Sequence, residues 1–188
     1  QTGAIQRVMR PDLVEPDDLR ALAKTSLVAL LVVGDPLQAT THVDLQLRAM
    51  EAGVECRVFH GLSITTLVTG AVGLSNYKFG RQTTFTYPYG GWVATSPLEV
   101  VAVNWAQNLH TLALLDLDPT GQGTGDQRPM TPSDAAHAMR LMWEKLRDVD
   151  IDEASLGDGA QGSKRAMIAR YLQQSIDEMP VVLCSYMG

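Results

Sequence analysis

The stretch LVALLVVGDPLQATTHVD, Leu27 to Asp44, decides how the rest of the chain is read. Seven apolar residues run from Leu27 to Val33 without a charge, and Gly34-Asp35-Pro36 then breaks the run. A short unbroken run rich in Val and Leu, closed by a turn, predicts a strand buried on both faces. In an open parallel sheet, the loop leaving the carboxyl end of such a strand is where ligands are held. Asp35 stands on that loop. A plainer reading competes, because Gly-Asp-Pro is also good turn chemistry.

Working outward, Val43, Leu45, Leu47, Ala49 and Met50 predict a helix from Thr41 that ends at Gly53, a suitable residue just past a helix end. Val54 to Phe59 reads as the next strand, and Gly61-Leu62-Ser63 opens a helix carrying Ile64, Leu67, Val68 and Ala71. Gln82 to Tyr87 alternates and is rich in Thr and aromatics, so a strand is expected there. Pro88 to Trp92 reads as a turn, and Ser96-Pro97 opens a helix to about Asn108. His110 to Leu117 is a third apolar strand with Asp116 and Asp118 at its end. Strand and helix alternating at this spacing predict an α/β fold of the doubly wound kind.

Upstream, residues 1 to 15 read as an arm, and Pro16-Asp17-Asp18 opens a short helix to about Lys24. Downstream, the Gly- and Pro-rich segment from Pro119 to Pro132 is the best boundary in the sequence. Ser133 is expected to cap a helix to about Arg147, residues 148 to 163 to form an acidic mobile segment, and a helix to run from Lys164 to Glu178. A strand is expected from Pro180 to Tyr186. The organisation is then an α/β domain over 1–118, a linker over 119–132, and part of a second α/β domain over 133–188. So few strands in the last domain cannot close a sheet, so further chain is expected beyond both ends.

Composition narrows the function classes. The chain is 45% hydrophobic and 19% charged, with a net charge of −6, an ordinary globular balance. Its longest basic run is Lys164-Arg165, so a nucleic-acid partner held through phosphates is not expected. No apolar stretch approaches the ~20 residues of a membrane span, and no signal-peptide pattern opens the chain. Cys56 and Cys184 sit in apolar stretches and are expected as buried thiols of a reducing compartment, hence a cytoplasmic protein.

The remaining motifs are mostly discarded. Gly157-Asp-Gly159-Ala-Gln-Gly162 fits the dinucleotide fingerprint by letter, but acidic residues stand where the fingerprint needs a strand, so a loop is expected. Gly162-Ser163-Lys164 has the wrong order for a phosphate-binding loop. Gly121, Gly123 and Gly125 read as linker. The four histidines show no metal spacing, and His60 and His110 read as structural. Ser63 lacks the nucleophile elbow of hydrolases. Trp105 and Trp143 are expected in the core.

Three blocks then carry a resemblance: VVGDPLQATTHVDLQLRA (32–49), HGLSITTLVTGAVGLSNYKFG (60–80) and HTLALLDLD (110–118). Their content, order and spacing resemble the diphthine synthase family, well over 28–117 and loosely over 131–188. The resemblance implies a tetrapyrrole-methylase-like architecture of two α/β domains with S-adenosylmethionine in the cleft between them, as a homodimer. It implies methylation of translation elongation factor 2, at a histidine already carrying a 3-amino-3-carboxypropyl group, in diphthamide biosynthesis. The family's cofactor contacts fall on Asp35, Gln38, Ser63, Ile64 and Leu115. The family commonly has Gly where Gln38 stands, and Asn-Ala-Ser-Ile where this chain has Gly61-Leu62-Ser63-Ile64. A Gly-rich loop before Gln1 and a His-Pro contact after Gly188 are also expected. Methyl transfer needs alignment and a dry cleft more than an acid or base, so no catalytic side chain and no metal is expected. The rival readings are another class III methyltransferase acting on a corrin precursor or ribosomal RNA, and a non-catalytic scaffold of the same fold.

Overall fold

The computed structural model describes residues 23–118, 121, 128–148 and 159–185. The arm expected over 1–15, most of the helix from Pro16 and the tip of the Gly-rich segment lie outside them. The described residues fall into two compact units that divide between Val68 and Thr69.

In the first unit, helix α1 spans His42–Glu51. Past its end, Gly53 donates to the Met50 carbonyl and Val54 to the Ala49 carbonyl, with Gly53 at φ 74. This is the paired closure that a left-handed residue past a helix end provides. Helix α2 spans Ile64–Ala71, of which 64–68 belong to this unit, and it closes in the same way past the division, with Gly73 at φ 71 and Leu74 donating to the Thr69 carbonyl.

Two expectations fail here. Leu27 to Val33 forms no strand, and Leu27 and Val33 are fully exposed. Val54 to Phe59 is likewise without a ladder, and Phe59 is exposed. A strand exists only through hydrogen bonds to a neighbour, and among the described residues neither stretch has one. The apolar run reports what a sequence is suited to bury, not what lies beside it. Cys56 is therefore a free, exposed thiol rather than a buried one, as is Cys184 in the final segment.

The second unit is built on a strand–helix–strand crossover. Strand β1 (Thr83–Phe85) pairs in parallel with β2 (Ala113–Leu115) in the register Thr83–Ala113, Thr84–Leu114, Phe85–Leu115, and a bridge from Phe79 to His110 extends the pairing upstream. Between them runs α3 (Ser96–Ala106), opened by Pro97 and closed over Asn108 at φ 57, with Leu109 donating to the Asn104 carbonyl. Helix α4 (Pro132–Arg147) is capped by Thr131 rather than Ser133. Pro132 at the first helical position places the cap on the residue before it, two residues ahead of the one expected. Helix α5 spans Gly159–Tyr171, so residues 159–163 are helical rather than loop. Gly162 is buried in it, and α5 packs closely along α3. A 3₁₀ turn at Ile176–Glu178 follows, and Pro180 to Ser185 forms no strand.

The core of this unit joins Phe85 and Tyr87 from the β1 exit, Leu98 and Ala102 of α3, Met130, the Ala135–Leu146 face of α4, and Ile168 and Tyr171 of α5. Trp143 packs against it, but Trp105 is 37% exposed, its ring edge-on to Tyr171.

Candidate functional site

Two groups of expected site residues are described separately, one in each unit. In the first, Asp35 lies on a tight turn in which Gln38 donates to the Asp35 carbonyl at 3.3 Å. The Asp35 side chain is only 9% exposed. Its Oδ1 accepts from the Leu37 N–H at 2.8 Å, and its Oδ2 from His60 Nδ1 at 2.8 Å. The Leu37 N–H holds the carboxyl below the usual carboxylate range; burial opposes it, and His60 adds to it. Asp35 is therefore an oriented carboxylate that joins its own turn to a second loop.

That second loop carries the Ser63–Ile64 pair. Ser63 is buried and stands at the start of α2, where its Oγ accepts from the Thr65 N–H at 3.3 Å and its carbonyl from Thr66 and Leu67. Ile64 is the first helical residue, and the N–H of such a residue has no partner within its own helix. The two loops meet backbone to backbone: a Cβ on Gly61 would collide with the Gly34 carbonyl. Gly34, at φ 82, makes the turn that brings this about.

The turn is also tied forward. His42 Nδ1 lies 2.8 Å from Thr40 Oγ1 and 3.0 Å from the Pro36 carbonyl, which fastens the start of α1 to the Asp35 turn. Between them Ala39 sits at φ 53, a left-handed conformation that costs a residue with a Cβ about 1–2 kcal/mol. Gln38 is exposed.

In the second unit, Leu115 is the last residue of β2 and 37% exposed. Asp116 follows it and accepts from Tyr89 Oη at 2.6 Å and from the Tyr87 N–H at 3.2 Å. Sequence reasoning missed this group. The only signal was an aspartate at the end of an apolar strand, with Tyr87 and Tyr89 after another. It also missed Asn104, buried in α3, whose amide binds both the N–H and the carbonyl of Arg81 and the Thr111 hydroxyl.

Among the described residues, no group of three or more His, Cys, Asp or Glu is arranged to hold a metal, and no helix is long and apolar enough to cross a membrane. The donor set in the first unit fits S-adenosylmethionine by its chemistry. A fixed carboxylate is an acceptor for hydroxyl or ammonium groups, and a helix N-terminus is a seat for a carboxylate.

The sequence matches the tetrapyrrole (corrin/porphyrin) methylases over residues 17–188. It is 40% identical over 157 residues to the diphthine synthase of Methanospirillum hungatei, covering 82% of this chain and 58% of that protein. To the diphthine synthase of Methanosarcina acetivorans it is 33% identical over 183 residues, covering 93% of this chain and 65% of the relative. A crystal structure of diphthine synthase superposes with a TM-score of 0.62 at 34% identity, over 74% of this chain and 52% of that one. The chain thus spans between about half and two thirds of the length of these relatives. With its crossover fold and these matches, the chain belongs to the tetrapyrrole (corrin/porphyrin) methylase family, as a relative of the diphthine synthases.

Proposed function

We propose that this protein transfers methyl groups from S-adenosylmethionine to the amine of a 3-amino-3-carboxypropyl-histidine on translation elongation factor 2, the methylation step of diphthamide biosynthesis. The observation that carries this reading is the pair of interlocked loops in the first unit. They present an oriented Asp35 carboxylate beside the start of α2 in a chain of the methylase family.

In this reading Asp35 accepts from polar groups of the cofactor, and Ser63–Ile64 offers the helix N-terminus to its carboxylate. Gln38 and Leu115 supply further contacts, Leu115 an apolar one. The bound cofactor supplies an electrophilic methyl on a sulfonium. The chain's own work is to fix the donor, align the acceptor and exclude water. The acceptor amine resembles an α-amino group with a pKa of ~8, so a useful share is unprotonated at neutral pH without a dedicated base. We assign no catalytic side chain. In this reading the protein works as a homodimer in the cytoplasm.

The test is the intact mass of elongation factor 2 bearing the unmethylated intermediate, after incubation with the complete protein and S-adenosylmethionine. Whole methyl increments on the modified histidine are expected. If the protein binds S-adenosylhomocysteine yet adds no mass, the acceptor assignment is wrong and a corrin precursor or ribosomal RNA is tried next. If it binds no cofactor, the methyltransferase reading falls.

A further inference from the structure

We propose that Asp116, together with Tyr89, is a positioning residue for the methyl donor, fixing the main chain at the exit of β2 so that Leu115 meets the cofactor in one place. This rests on the cofactor reading of Leu115 given above.

Four donors converge on the Asp116 carboxylate. Asp116 Oδ2 accepts the Tyr89 hydroxyl at 2.6 Å and the Tyr87 N–H at 3.2 Å, and Oδ1 accepts the N–H groups of Leu117 at 2.8 Å and Asp118 at 3.3 Å. Its backbone is held as well, its N–H by the Phe85 carbonyl at 3.1 Å and its carbonyl by the Met130 N–H at 2.7 Å. One residue thereby ties together the exits of β1 and β2 and the 3₁₀ turn at Tyr89–Gly91. Because the two strands are parallel, these exits lie at the same edge of the sheet, the carboxyl edge at which open α/β sheets hold their ligands.

The tie continues beyond the strands. The Tyr87 and Tyr89 rings meet edge to face, and the Tyr87 hydroxyl donates to Asp134 Oδ2 at 3.2 Å at the start of α4, where Arg128 pairs with the same carboxyl. Burial, then the bond to Asp116, pushes the Tyr89 hydroxyl well above its usual range, so it remains a donor at physiological pH.

Against this rigid frame, Leu115 and Leu117 are exposed by 37% and 63%. A large apolar side chain left open on a main chain held at every neighbouring position suits contact with an apolar part of a ligand.

The test compares wild type, Tyr89→Phe and Asp116→Asn in the complete protein. Calorimetric affinity for S-adenosylhomocysteine and steady-state kinetics are measured, with thermal melting as a fold control. Removing the Tyr89 hydroxyl is expected to weaken the cofactor product by roughly fivefold or more. The donor KM should rise in step while kcat changes little. Asp116→Asn is expected to do the same more strongly; should it fail to fold, Tyr89→Phe carries the test alone. Tyr89→Phe with wild-type affinity and KM but a lower melting point overturns this inference and leaves the cofactor reading intact. Wild type that binds no S-adenosylhomocysteine overturns both.

Discussion

Replacing Asp134 with Ala should destabilise the second unit by about 3 kcal/mol, and the loss should fade at low pH. Asp134 is the third residue of α4 and closes a reciprocal cap: its N–H donates to Thr131 Oγ1, and its Oδ2 accepts the Thr131 N–H at 2.9 Å and the Thr131 hydroxyl at 2.7 Å. A cap of this kind contributes about 1 kcal/mol. The Arg128 pair at 3.2 Å is partly exposed and adds about 0.5 kcal/mol. The largest share comes from Tyr87, only 5% exposed, whose hydroxyl loses its acceptor; a buried group so stranded costs about 1–3 kcal/mol. The Thr131 hydroxyl and N–H lower the Asp134 pKa from 3.8 to about 2. A carboxyl depressed on folding stabilises fully above its ordinary value and loses that contribution as pH falls through the folded one. The gap between wild type and Asp134→Ala in urea unfolding, followed by circular dichroism, should therefore hold from pH 7 to about 5 and shrink between about 4 and 2. Asp134→Asn, which keeps an acceptor but no charge, should fall between them. A gap under about 1 kcal/mol at neutral pH, or one unchanged down to pH 3, refutes the reasoning.

Asp35→Ala should weaken S-adenosylhomocysteine by roughly an order of magnitude or more while the fold survives; calorimetry giving wild-type affinity returns Asp35 to a turn residue. Gly61→Ala should force the two loops apart, since its Cβ meets the Gly34 carbonyl, with a cost of about 1–3 kcal/mol in chemical unfolding and weaker cofactor binding. Asn104→Ala leaves the Arg81 carbonyl and the Thr111 hydroxyl without their amide partner and should cost about 2–4 kcal/mol. A loss under about 1 kcal/mol would mean water replaces the amide.

How much could be read from the sequence depended on where each signal resides. The α1 stop was legible because Gly53 is required by local backbone geometry, and the starts of α2 and α3 by their Ser and Ser-Pro signals. The strands at Thr83–Phe85 and Ala113–Leu115 lie inside the stretches expected for them, though shorter. The run at Leu27–Val33 misled, because burial is a property of neighbours and no local pattern contains them. The first turn of α5 reads as loop in the sequence, since its apolar residues follow no one-sided stripe and its glycines suggest flexibility. Gly162 is instead a buried residue of this helix. At the site, Asp35 stood out through its motif, and its clamp to His60, 25 residues away, was invisible in the sequence. Asp116 and Asn104 act through contacts 23 to 29 residues distant, and only the crossover makes them neighbours.

The Asn104 amide also bears on the order in which the second unit assembles. It binds Arg81, 23 residues back, and Thr111, 7 residues on, so its contacts are complete once β2 has been synthesised. Glu99, one turn earlier on the same helix, pairs with Lys164, 65 residues further along. Closing the shorter loops costs less chain entropy, so the crossover is the natural nucleus and α5 docks late. Substitutions at Asn104 should then slow refolding, whereas those at Lys164 should chiefly speed unfolding, a difference that the two arms of a chevron plot separate.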